Sequence, residues 1–232
     1  TVIRADIPFN YARLNNLAVA RASNELVCFL NNDVEIIEGA WLREMALELA
    51  DPAVSVVGAT LLWPSRIVQH GGVVLGPHFA AAHAFNDRID GEGGYDDQLL
   101  VPRRQSAVTA ACMLMRRDDY LALGGMDEDA FPVAFNDVDL CLKAGAAGGE
   151  VLITPRARLL HKESASRGLD HLSHEKRSRA RKELEELRRR WGHVLADDPF
   201  YHPSLCLDLY PFSGLAAPPR SRELRILPEA GG

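Results

Sequence analysis

At 232 residues the chain is long enough for one large domain, or for a domain with an appendage. Its 26 basic and 32 acidic side chains leave a net charge of −6, which excludes general nucleic-acid binding. No apolar run approaches the roughly 20 residues that a membrane-spanning helix needs, and the first residues do not read as a signal peptide.

In chain order, the apolar spacing predicts a helix over Asn10–Ala22, with Leu14, Leu17 and Ala18 on one side. Leu26–Leu30 is an apolar run of strand length. Trp41, Met45 and Leu49 recur at period four and predict a helix bracketed by Gly39 and Asp51-Pro52. Val54–Leu62 is a β-branched run suited to a buried strand, and Ile67–Gly76 suggests a short strand pair. Phe79–Asp97, rich in Gly, Asp, Ala and His, reads as a long loop of the kind that forms lids. Ala107–Met115 predicts a buried strand, and Asp118–Leu123 a short helix ended by Gly124-Gly125. A helix follows over Asn136–Ala147, then a strand over Val151–Thr154 that Pro155 should stop. Strands alternating with helices predict an α/β layered sheet.

From His174 to Arg190 the chain is dense in charge, with Leu184, Leu187 and Trp191 at helical spacing, as in an amphipathic helix packed by that stripe. Its Lys and Arg side chains suit an anionic membrane surface. The interleaved Glu residues favour a solvated face instead. Beyond Pro211 the composition is that of an extended tail. Cys28, Cys112, Cys141 and Cys206 lie far apart, mostly in apolar runs, and read as buried free thiols of a reducing, cytoplasmic compartment. The chain starts at Thr1 and enters helix-like sequence at once, as a fragment would.

Two acidic clusters stand out. Asn31-Asn32-Asp33 follows the Leu26–Leu30 run directly. Asp137 and Asp139 open an apolar helix about a hundred residues later, where a helix N-terminus favours negative charge. Two positions apart on a helix, they point in different directions and serve different roles. One can face a cleft as a general base while the other caps or orients. Asp33 is equally suited to a turn after a strand; for Asp137 the base is the favoured reading and an N-cap the alternative. His70, His78 and His83 lack metal-ligand spacing on one helix and read as loop residues. Trp63 and Trp191 suit either a core or a shelf for an acceptor.

Five blocks, in order, carry a resemblance. They are Phe9-Asn10-Tyr11-Ala12 with Asn15-Asn16; Phe29-Leu30-Asn31-Asn32-Asp33-Val34-Glu35; Ala107–Leu114; Gly124-Gly125-Met126-Asp127-Glu128 leading to Asn136-Asp137-Val138-Asp139; and Leu160-His161-Lys162-Glu163-Ser164-Ala165-Ser166-Arg167-Gly168. Together they resemble a family 2 glycosyltransferase with the GT-A fold, of the bacterial rhamnosyltransferase or O-antigen type. The resemblance covers roughly residues 9 to 210, with Asp198–Pro203 similar to the end of such domains.

It implies a mixed sheet flanked by helices, lacking the first βαβ portion, with a C-terminal amphipathic helix. The expected divisions are a transferase domain over 1–170, a helical extension over 171–210 and a tail over 211–232. By the same resemblance Asp33 and His161 hold a divalent cation, and Asn15, Asn32, Asp33 and Arg167 contact the donor. Asp137 is the catalytic base, and Ala110, Ala111 and Asp139 lie on the acceptor side. Asn31 replaces the first carboxylate of the usual pair, and Asn136 replaces the usual Glu before the base.

A diphosphate leaves poorly without positive charge, so Mg²⁺ or Mn²⁺ is the implied cofactor, with imidazole favouring Mn²⁺. A sugar hydroxyl is a weak nucleophile, so a carboxylate is needed to take its proton. The implied function is inverting, metal-dependent transfer from a nucleotide-diphosphate sugar to a saccharide or lipid-linked saccharide, at the cytoplasmic side of a membrane. A truncated or degenerate transferase that only binds a glycan or a partner is the competing reading. A nucleotidyltransferase is a third, against which the Gly124–Asp139 block argues.

Overall fold

Runs of four to nine apolar residues between turn signals build a sheet whose two faces are both covered by helices. The structure, a computed structural model, describes residues 1–162, 174–207 and 210–220. The strands are β1 (Leu26–Leu30), β2 (Val34–Ile36), β3 (Val54–Leu62), β4 (Val68–His70), β5 (Val73–Leu75), β6 (Ala81–His83), β7 (Arg103–Arg104), β8 (Cys112–Arg116) and β9 (Glu150–His161). The helices are α1 (Tyr11–Arg21), α2 (Trp41–Leu49), α3 (Arg117–Ala122), α4 (Asn136–Ala146) and α5 (His174–Ala196).

The main sheet runs β1-β8-β3-β9-β2, with β4 on β3 and β7 on β9; β5 and β6 pair separately. Only β3 and β9 are parallel among these pairings. Central β3 is buried along nearly its whole length, as a strand covered on both faces must be. Val56 joins the core beneath α1, α4 and α5, whereas Val57 and Ala59 join the core beneath α2, with Trp41, Met45 and Leu49. Edge strand β1 instead alternates, turning Val27 and Phe29 inward and Leu26, Cys28 and Leu30 outward. Cys28 is therefore an exposed thiol rather than a buried one, while Cys112 and Cys141 are buried.

Three departures from the sequence expectation bear on function. First, β9 does not stop at Pro155. Its register with β3 jumps from Ala59↔Thr154 to Thr60↔Arg158, so the proline sits in a bulge, where a missing N–H breaks no ladder bond. The strand then runs on to His161, which pairs with Val34.

Second, residues 107–111 are not strand. Val108 lies over Gly58 of β3, and a Cβ added there would come within 2.5 Å of Val108 Cβ. Only glycine admits this approach, and the segment is held by a single backbone bridge from Ala107 to Val73, by Asn31 N–H on Ala111 O and by side chains.

Third, Phe79–Asp97 is not one open loop. It contains β6, and Phe85 stacks on Phe212 at 4.5 Å between ring centroids. Phe212 thus returns to the body of the molecule, where an extended tail was expected.

Candidate active site

The site forms where β1 ends. Asn31 N–H donates to Ala111 O at 3.0 Å, and the turn Asn31-Asn32-Asp33 leads straight into β2. Because Val34 pairs with His161, Asp33 lies beside the end of β9. Asp33 Oδ1 is 3.1 Å from His161 Nε2, with side chains 16% and 8% exposed. The Asn31 amide nitrogen is 3.4 Å from the same Nε2, and Gln69 Oε1 is 2.7 Å from Nδ1. Asn32 is exposed at the turn.

The second acid arrives from α4. Phe135, with φ of +60°, caps that helix without a side-chain bond, so Asp137 is not the cap. It lies in the first turn, where Oδ1 accepts from Val138 N–H at 2.9 Å and Oδ2 accepts from Ala110 N–H at 3.1 Å. A carboxylate has about four acceptor positions, so capacity is left on both oxygens.

One short segment therefore touches Asp137 and the turn that carries Asp33. Ala110 N–H binds Asp137 and Ala111 O binds Asn31, so the Asn31 backbone and the Asp137 carboxylate are within about 14 Å of each other by chain reach. The segment is pinned further: Tyr11 O–H donates to Ala110 O at 3.0 Å, and Thr109 N–H donates to His70 Nε2 at 3.3 Å.

Asp139 is elsewhere. It is fully buried and receives Arg190 Nη1 and Trp191 Nε1, each at 2.9 Å, with Lys143 Nζ at 3.5 Å. The expected acceptor contact is corrected: Asp139 ties α5 to α4, and Trp191 goes with it, partly buried against the core. Asn136 is buried and donates to the carbonyls of Phe131 and Val133, so its amide organises the loop before α4. Asn15 donates to Tyr11 O within α1. Its neighbour Asn16 makes the long-range contacts, accepting from Met126 N–H at 3.1 Å and donating to Met126 O at 2.8 Å. Arg167 falls outside the described residues.

The sequence reading missed Gln69 and His70. His70 is no loop residue; it lies in β4, fully buried. The available signal was the polar pair inside the apolar frame Val68…Val73.

The Asp33–His161 pair can hold a cation. Neighbouring ligands on an octahedral ion with bonds of about 2.1 Å are about 3.0 Å apart, close to the observed 3.1 Å. Among the described residues no group of three or more His, Cys, Asp or Glu could hold a metal. A cation here would therefore draw further ligands from a bound phosphate or water, as Mg²⁺ and Mn²⁺ commonly do.

No family model matches the chain. A protein of Sinorhizobium fredii described as uncharacterized protein y4gI is 44% identical over 207 residues, spanning 89% of this chain and 23% of that protein. The O-antigen biosynthesis protein RfbC of Myxococcus xanthus is 42% identical over 169 residues, spanning 71% of this chain and 13% of RfbC. The N-acetylglucosaminyl-diphospho-decaprenol L-rhamnosyltransferase of Mycobacterium tuberculosis is 33% identical over 138 residues, 58% of this chain and 42% of that enzyme. Two solved structures share the fold. GalNAc-T7 with UDP, GalNAc and Mn²⁺ has a TM-score of 0.56 at 13% identity, over 85% of this chain and 44% of that one. The mannosyltransferase PcManGT of Pyrobaculum calidifontis, with GDP-Man and Mn²⁺, has a TM-score of 0.53 at 16% identity, over 85% and 52%.

The chain has the GT-A fold, and its sequence is similar to an O-antigen biosynthesis protein and to an L-rhamnosyltransferase. It spans less than half the length of the sequence relatives it matches. In this GT-A domain, the turn after β1 and the start of α4 meet across the Thr109–Ala111 segment.

Proposed function

We propose that this domain carries out inverting, metal-dependent transfer of a sugar from a nucleotide-diphosphate donor to a saccharide or lipid-linked saccharide acceptor at the cytoplasmic face of a membrane. The observation that carries the reading is the Thr109–Ala111 segment, bonded to the Asn31 turn at one end and to Asp137 at the other. A cation on Asp33 and His161 would neutralise the departing diphosphate. Mn²⁺ is the first candidate, since imidazole is among the donors and both solved structures above contain Mn²⁺.

Asp137 takes the acceptor hydroxyl's proton as that oxygen attacks. Its two backbone N–H bonds hold the carboxylate in one orientation, which is the pre-positioning that in-line attack needs. A single displacement inverts the anomeric carbon. Ala110 and Ala111, nearly buried beside the base, limit space on the acceptor side. Arg167, Asn32 and Asn15 complete the proposed donor contacts. The acceptor class follows the name of the mycobacterial relative, whose substrate is a diphospho-decaprenol-linked sugar.

The test is transfer from a panel of nucleoside-diphosphate sugars to lipid-linked acceptors, with and without Mn²⁺. Asp33→Ala should abolish metal-dependent nucleotide binding. Asp137→Asn should leave that binding intact and lower turnover by at least about a hundredfold. Unchanged turnover in Asp137→Asn assigns the base to another group. A retained anomeric configuration in the product, seen by NMR, rejects the single displacement.

A further inference from the structure

Strand β4 is bulged. Leu61 pairs with His70 and Leu62 with Val68, so Gln69 is the extra residue that faces no partner on β3. Bulges re-aim side chains and are frequent beside active sites. Here the bulge is pinned on both sides. His83 Nδ1 meets the Gln69 backbone carbonyl at 3.0 Å, and Thr109 N–H is bonded to His70. The Gln69 side chain, only 3% exposed, is thereby delivered to His161.

An imidazole can ligate a cation only through a nitrogen that carries no hydrogen. An amide oxygen accepts and never donates. With Gln69 Oε1 at 2.7 Å from Nδ1, the hydrogen of the neutral ring belongs on Nδ1, which leaves the Nε2 lone pair on the side of Asp33 Oδ1. Asn31 supports the same tautomer independently, because its amide nitrogen approaches Nε2 and can only donate to it. The opposite tautomer would place a hydrogen on Nε2, bond it to Asp33 and close the pair to a cation.

We propose that Gln69 is a positioning residue that holds His161 in its cation-binding tautomer. The proposal rests on the reading of Asp33 and His161 as the cation pair, and the following experiment separates the two. Mn²⁺ binding is measured by loss of the free-ion electron paramagnetic resonance signal, with UDP present as a probe, for wild type, Gln69→Leu, Gln69→Glu and His161→Ala. The imidazole ¹⁵N shifts of His161 are recorded on the wild type and on Gln69→Leu without metal.

Gln69→Leu should bind Mn²⁺ about 10–100-fold more weakly, the effect expected when a partner of a metal ligand is lost. Gln69→Glu keeps an acceptor and should restore binding. The wild-type ¹⁵N shifts should report hydrogen on Nδ1, and those of Gln69→Leu a mixture of tautomers. If His161→Ala loses Mn²⁺ while Gln69→Leu binds as wild type does, the role of Gln69 is overturned and the cation pair stands. If wild type binds no Mn²⁺, or His161→Ala binds it unchanged, the cation pair itself is overturned, and this proposal with it. Hydrogen on Nε2 in the wild type overturns the tautomer assignment whether or not the variants fold.

Discussion

Burial holds the His70 imidazole well below its ordinary range, reinforced by the positive charges that His83, Arg103 and His161 can carry. A neutral ring is what lets Nε2 accept from Thr109 N–H. The depressed folded value has a definite sign. The unfolded chain takes up a proton below about pH 6.5 that the folded chain refuses, so this contribution is present above that pH and is lost as pH falls. The thermal midpoint should therefore drop between about pH 7 and about pH 5, and His70→Gln should flatten that drop. Calorimetry at several pH values checks it; parallel curves for the two proteins would remove His70 as the cause. At this scale the acidic clusters after a strand and in a helix's first turn drew attention to Asp33 and Asp137, and the resemblance of the Leu160–Gly168 block added His161. Gln69 and His70 were not legible, since their partners lie 92 and 39 residues away.

Helix α5 is the brace for the helix that carries Asp137. Glu183, almost wholly buried, accepts from Val133 N–H at 2.7 Å and Ala134 N–H at 2.9 Å, just ahead of Phe135. Arg190 bridges Asp139 and Asp127, each at 2.9 Å, and Asp127 is held below the usual carboxylate range: burial opposes this, but the N–H groups of Ala130 and Asp129 and the Arg190 guanidinium outweigh it. Leu187 is buried in the same core as Val138 and Leu140, so the predicted Leu184–Leu187–Trp191 stripe is the packed face. The charge on the other faces is partly engaged too, since Arg188 donates to the carbonyls of His78 and Phe79. Asp139→Ala would leave the partly buried Arg190 and Trp191 donors without their fully buried acceptor. A loss of about 2–4 kcal/mol in urea denaturation is expected, moderated because Arg190 keeps Asp127 and Glu186. A loss below about 0.5 kcal/mol would class the contact as a surface ion pair.

Across the molecule, the segment after α5 is stitched back onto the sheet region by one carboxylate. Asp198 is buried and accepts from Leu75 N–H at 2.8 Å, Ser106 O–H at 2.6 Å and Phe200 N–H at 2.9 Å. Burial pushes it above the ordinary carboxylate range, with those three donors pulling the other way. Asp198→Ala should destabilise by about 1–3 kcal/mol for each donor left buried and unpaired, and should open residues 199–207 to limited proteolysis. Unchanged cleavage would show that Tyr201 and Leu205, which share a buried cluster with Phe85 and Val74, hold the segment unaided. Among the described residues no helix is long and apolar enough to cross a membrane.

The order and type of most elements, the α/β layering and the two acidic clusters follow from the sequence alone, because apolar periodicity and turn residues act within a few positions. Leu26–Leu30, Trp41–Leu49 and Val54–Leu62 match their predicted bounds for that reason. What the tertiary structure decided is how these pieces meet. A bulge let β9 pass Pro155 and bring His161 to Asp33; a missing Cβ at Gly58 let Val108 lie down and place Ala110 against Asp137. Burial turned Asp139 into a structural anchor while its neighbour two residues away remained available. Each of these rests on contacts tens to more than a hundred residues apart, where local spacing carries no information.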